Sequence, residues 1–174
     1  FSNRKLYQAG QGSIPSDTVC FPAKLTHGHI MALLKKDVDA IFYPCMSYNV
    51  DEGLGDNHYN CPVVAYYPEV LAGNIRELED TKFIYEYLNL EQRKDFVRLM
   101  PKIMQKYYPD LKTSDIHNAI EVAYTAYRKH MEDTRKEAER MMTEARNEGK
   151  RIIVLAGRPY HVDPEVNHGI DKLI

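Results

Sequence analysis

The chain has 174 residues, and its 23 Lys and Arg against 25 Asp and Glu leave a formal charge of −2. That length can hold one sizeable core or parts of two, and the near balance of charge gives no reason to expect nucleic acid or a membrane surface as the main partner. Three cysteines, no signal peptide and no apolar run of about 18 residues argue against a secreted disulfide scaffold or a membrane span, and lead us to expect the reducing cytoplasm.

The opening residues, FSNRKLYQAGQGSIPSDTV, read as a short polar turn or helix followed by a Gly/Ser/Pro loop. They offer no hydrophobic strand, so the sequence is expected to enter a domain partway through. Proline is favoured at the first helical position, which predicts a helix from Pro22 to about Lys36 with Cys20 just outside it. The run from Asp39 to Pro44 reads as a buried strand ending at Cys45. A polar loop then leads to Cys61 and a second apolar run, PVVAYY, which we read as another strand. Strands joined by a helix form parallel βαβ units, so residues 1–80 are expected to be a partial Rossmann-like α/β lobe.

Residues 81–149 read as a helical segment. Phe96, Leu99, Met100, Ile103 and Tyr107 share one face, with Pro101 as an interruption. Beyond them Ile116, Ile120, Ala123, Tyr127, Met131, Thr134, Ala138, Met141 and Ala145 recur at helical spacing, while Arg, Lys and Glu fill the other side. This predicts one helix over about 114–148, capped by Ser114 and ended by Gly149. At about 1.5 Å per residue it would extend on the order of 50 Å, enough to bridge two lobes. From 150 to 174 we expect the first strand, Arg151–Ala156, and the first helix, from Asn167, of a second α/β lobe.

The chemistry-bearing residues are few. A cysteine before a helix meets unpaired N–H groups and the positive end of the helix dipole, a setting that favours a thiolate for a metal or a nucleophile. On these elements Cys20 and Cys45 both fall at the carboxyl edge of the sheet, where ligands of open α/β folds collect. Cys61, preceding its expected strand, would lie at the opposite edge about 17–20 Å away, unless the loop doubles back. This reading makes it a buried, non-ligating cysteine. The cysteine spacings match no zinc-ribbon or compact ferredoxin pattern.

His27 and His29 point to different sides of a helix and cannot share one ion, so solvent-facing or backbone-bonded roles are expected. The stretch from Gly53 to His58 lacks the third glycine of a dinucleotide fingerprint, and no phosphate-binding GxxxxGK loop occurs. Asp56 and His58 could serve acid–base chemistry. Arg158 could pair with a phosphate or carboxylate of a substrate, or form a salt bridge within the lobe.

Four stretches, IPSDTVCFPAKLTHGH, DAIFYPC, DNHYNCPVVAYYPE and RIIVLAGRPYHVDPEVNHGI, together resemble the large fused proteins known as activators of 2-hydroxyacyl-CoA dehydratases. Those proteins are similar to an actin-like, ATP-hydrolysing activase joined to a region related to the dehydratase subunits. The present chain resembles the second region and carries no actin-like nucleotide motif.

The resemblance implies a [4Fe–4S]-type cluster held by cysteines projected from α/β lobes, with Cys20 and Cys45 as two thiolate ligands. A third ligand would come from the following lobe or from Cys61. It also implies an ATP-driven electron that reduces the thioester carbonyl of an acyl-CoA substrate to a ketyl radical, and the activase region as partner. Soft thiolates select such clusters, and helix ends offset their charge. Two rival readings stand beside this one: a docking or structural module that uses the long charged helix to position the activase on a dehydratase, and a zinc-stabilised domain.

Overall fold

Cys20 and Cys61 are both in extended backbone (φ −61° and −62°), and each N-caps a helix with a proline in its first turn. That repeated device starts the two helices around which the N-terminal part is built. In the computed structural model, which describes residues 1–174, Phe1–Phe96 together with Gly157–Ile174 form one unit and Val97–Ala156 another.

The first unit begins with α1 (Arg4–Gly10), N-capped by Asn3, whose side chain accepts from the Leu6 N–H. Next comes α2 (Phe21–Leu34), close to the predicted span. It packs tightly on α1: a Cβ on Gly28 would overlap the Leu6 carbonyl, and one on Gly10 the Gly28 backbone. After α2 the chain forms β1 (Ile41–Phe42), then α3 (Pro62–Asn74), then β2 (Phe83–Ile84). The strands are parallel, with Ile41 opposite Phe83 and Phe42 opposite Ile84. A further bridge pairs Cys45 with Tyr87. This is an α/β fold with a small parallel sheet. Ala23 and Ile30 of α2, Ile41, Tyr67 and Leu71 of α3, Ile75, Leu78 and Phe83 make its core.

The expected strand at PVVAYY is instead the first half of α3. Pro62 stands in the opening turn after the Cys61 cap, and the apolar run continues through a helix of 13 residues. Its buried residues Ala65, Tyr67, Pro68 and Leu71 follow helical rather than alternating spacing. The parallel partner of β1 therefore comes from Phe83–Ile84, and α3 is the crossover between them, as parallel pairing requires.

His27 and Tyr67 join α2 to α3 through a buried hydrogen bond of 2.9 Å. Ser13 Oγ donates to the Gly10 carbonyl and lies 2.8 Å from His27 Nδ1. His27 Nδ1–H therefore donates to Ser13, leaving Nε2 to accept the Tyr67 hydroxyl proton. His29 is exposed and bonded to the Ser2 hydroxyl at 2.9 Å, so the solvent-facing role expected of the pair holds for His29 and fails for the buried His27. Asp163 anchors the C-terminal stretch: it accepts from the Ser2 N–H at 2.8 Å and caps α6 (Pro164–Asn167). His168 and Gly169, both at positive φ, separate α6 from α7 (Ile170–Leu173).

In the second unit, α4 (Arg93–Tyr107) enters from the first and carries buried Met100 and Pro101. It is followed by α5 (Thr113–Asn147), a single helix of 35 residues with buried Ile116 and Ile120. Lys112, not Ser114, occupies its N-cap, without a side-chain bond. Its other end is as predicted. Gly149 has φ 64°, its N–H bonds the Arg146 carbonyl and the Lys150 N–H bonds that of Ala145, a Schellman close. The predicted strand at Arg151–Ala156 does not form. The sheet consists of β1 and β2 alone, and Ile152, Ile153, Val154 and Leu155 stay exposed. An apolar run becomes a strand only when a neighbouring strand supplies its backbone partners.

Two expected outcomes test these packing arguments. Gly28→Ala should destabilise the chain by about 1–3 kcal/mol in urea denaturation, because backbone rather than a flexible side chain must move. Tyr67→Phe leaves a buried imidazole nitrogen unpaired and should cost about 1–3 kcal/mol. Burial lowers the pKa of His27, so the neutral ring is the folded form. Its contribution is complete above the unfolded value of about 6.5 and is lost as pH falls through 6.5 toward the folded value. Both wild type and Tyr67→Phe keep the ring buried, so thermal melts of both should shift down together as pH falls below about 6.5.

Candidate functional site

Three topological facts bring the cysteines to one side. β1 runs toward Cys45, which lies just beyond its C-terminal end. Helix α2 leads into the start of β1 through Lys35–Ala40, and α3 follows its end, so the N-caps of both helices, Cys20 and Cys61, belong to the carboxyl edge of the sheet. The expectation that Cys61 lies at the opposite edge fails with the strand on which it rested. The connecting loop does double back: Tyr48 bridges Tyr59 antiparallel, the Asn49 N–H bonds the His58 carbonyl at 2.9 Å, and Asn60 Nδ2 donates to the Met46 carbonyl at 2.8 Å. Met46 follows Cys45 and Asn60 precedes Cys61, so the loop returns the chain to where it left.

The three thiols are free but differ in setting. Cys20 and Cys61 are exposed, and the Cys61 sulfur accepts from the Val64 N–H at 3.4 Å. Cys45 is 0 % exposed. Burial pushes its thiol pKa up, the carboxylates of Glu69 and Glu86 push the same way, and a hydrogen bond from the Glu69 backbone N–H partly offsets them. Pro68, inside α3, lacks an N–H and interrupts the helical ladder beside that donor.

Glu69 also accepts a 2.6 Å hydrogen bond from the Tyr87 hydroxyl. That bond, more than burial, pushes the phenol pKa up to about 12. No group of three His, Cys, Asp or Glu side chains gathers at a spacing that holds a metal ion. The donor set suits iron by its chemistry, since thiolate sulfur is the soft ligand such clusters take. Its present arrangement is three separate thiols, one of them enclosed.

The remaining candidates are His58, Asp56 and Arg158. Arg158, exposed, and His58 line a cavity of about 290 Å³ with Asn49, Glu52, Asn57 and Asn60. His58 faces Asp51 at 3.5 Å, while Asp56 is exposed and outside the lining. Tyr67, Glu69 and Tyr87 were missed as site residues because each lies in an apolar or amphipathic stretch. The only sequence signal near them was Pro68, an interruption within an otherwise helical pattern.

An α/β fold with two cysteine-capped helices, α2 and α3, on one sheet edge defines a thiol-bearing module. The whole chain, residues 1–174, matches the family model described as the CoA enzyme activase uncharacterised domain. The chain belongs to that family. No curated protein and no solved structure matches it, and no helix is long and apolar enough to cross a membrane.

Glu69→Gln should bring the Tyr87 phenol down from about 12 toward the ordinary value near 10. An NMR titration of carbon-labelled tyrosine would follow it. An unchanged Tyr87 titration would separate the phenol from Glu69.

Proposed function

We propose that this domain is the iron–sulfur module of a CoA-enzyme activase system. In the full-length protein, Cys20 and Cys45, with Cys61 or a ligand from another lobe, hold a [4Fe–4S]-type cluster that takes part in ATP-coupled electron transfer to acyl-CoA dehydration. What supports this reading is the topology, which puts three separate cysteines on one sheet edge, two of them at helix N-termini. Family membership supports the coarser part, a role beside a CoA-dependent enzyme. When bound, the cluster supplies single-electron transfer. The chain's own part is to present thiolates, to offset their negative charge with the N-terminal N–H groups of α2 and α3, and to keep water from Cys45. Arg158, which lines that cavity, is the residue we assign to an anionic group of the substrate.

Anaerobic reconstitution with iron and sulfide, on a chain extended at both ends, tests the proposal. Uptake of both elements with broad visible absorption is expected, and Cys20→Ser or Cys45→Ser should each remove most of it. Uptake that survives both substitutions, or none in the extended protein, overturns the cluster reading. Stoichiometric zinc in protein purified in air would assign the thiols to a structural metal instead.

A second reading, a docking module that positions the activase, draws on α5. Past Ile120 the helix is largely uncovered, with Tyr127 and Met141 exposed. Its charges pair along the helix itself: Lys129 with Asp133 at 2.6 Å, Lys136 with Glu132 at 2.5 Å, and Arg140 with Glu137 at 2.6 Å. Reversing Arg135, Lys136 and Arg140 to Glu should abolish pull-down of the activase if α5 is the contact. Unchanged capture leaves the helix as solvated surface.

A further inference from the structure

Cys45 is fully buried although it lies at the sheet edge, and what encloses it is specific. Tyr87 is its partner in a parallel bridge. Residues so paired direct their side chains to the same face of the sheet. On that face lies α3, whose Glu69 backbone lies near the Cys45 sulfur and whose Glu69 carboxylate accepts the Tyr87 hydroxyl at 2.6 Å. Tyr66, also on α3, packs its ring 6.0 Å from that of Tyr87. The tyrosine thus reaches from the extension of β2 to α3 across the thiol.

The parts of this enclosure differ in how firmly they are held. The backbone of Cys45 is tied in by its N–H to the Glu86 carbonyl and by its carbonyl to the Leu88 N–H, at 3.1 and 3.0 Å. Tyr87, by contrast, is 49 % exposed, and a single hydrogen bond holds its tip.

We infer that the Tyr87–Glu69 hydrogen bond is a latch over Cys45, and that its opening admits a thiol-seeking ligand, a soft metal ion or an electrophile, to a sulfur otherwise shut from solvent. The inference extends the cluster reading, in which Cys45 must become reachable, but its test needs no iron. The latch and the cluster therefore fail separately.

The test is the rate at which iodoacetamide labels Cys45 in the 174-residue chain carrying Cys20→Ser and Cys61→Ser, followed by mass spectrometry. In that background Tyr87→Phe should raise the rate by about two- to fivefold, as expected for loss of a solvent-exposed hydrogen bond. Glu69→Gln keeps a weaker, neutral acceptor and should give a smaller rise. The ratio of Tyr87→Phe to the parent should be the same at two alkaline pH values, since opening rather than thiolate fraction sets it. Tyr85→Phe, on the neighbouring residue whose ring stacks on Phe83, serves as the control and should label at the parent rate.

Labelling of Tyr87→Phe at the parent rate overturns the latch. So does an equal rise in Tyr85→Phe, which would report general loosening. Should Tyr87→Phe not fold, the Glu69→Gln comparison decides alone, and no rise there also overturns it.

Discussion

The hydrogen bond between His27 and Tyr67 is the constraint on which the cysteine edge depends. It lies between α2 and α3, at similar distances along each helix from its cysteine cap, and has no water to fall back on, since His27 is 0 % exposed. A buried imidazole must have both nitrogens satisfied, and Ser13 and Tyr67 satisfy them only while the loop after α1, α2 and α3 keep their present places. The close approach of α1 to α2 at Gly10 and Gly28 secures the same arrangement from the other side. Holding α2 against α3 in this way places Cys20 and Cys61 on one edge of the sheet.

Around that edge the fold treats its thiols unequally. Two sit exposed at helix ends, Cys61 accepting a single backbone N–H and Cys20 none. The third is enclosed by a strand partner, a helix and a phenol, in a setting of low polarity and negative charge that opposes its ionisation. In the proposed latch, the sulfur is protonated while closed and becomes a soft ligand when the enclosure opens and a cation replaces the proton. Membership in the CoA enzyme activase family gives such a ligand a context.

Legibility in the sequence followed the strength of local signals. The span of α2 could be read from Pro22 and the apolar pattern after it, and α5 from an unbroken helical stripe ended by Gly149, because caps and periodicity are local properties of the chain. PVVAYY could not be read correctly. A short apolar run with two valines fits a strand or a buried helix equally well, and the deciding fact, that β1 pairs with Phe83–Ile84, lies outside the run. Arg151–Ala156 shows the converse. It is strand-like in every residue, yet with no neighbouring strand it remains unpaired.

The sequence by itself determined that this is an α/β protein with one long amphipathic helix, with cysteines at two element boundaries, and with a likeness to dehydratase activators strong enough to anticipate its family. Helix caps, stripes and motifs are written in neighbouring residues. Only the tertiary structure decided that Cys61 shares an edge with Cys45, that His27 is a buried joint and not a surface residue, and that Tyr87 and Glu69 close over a thiol. Each of those facts pairs groups far apart in the chain, Cys45 with Tyr87, Glu69 with Tyr87 and His27 with Tyr67. Such pairs are set by which surfaces the folded core brings into contact, and no local pattern records them.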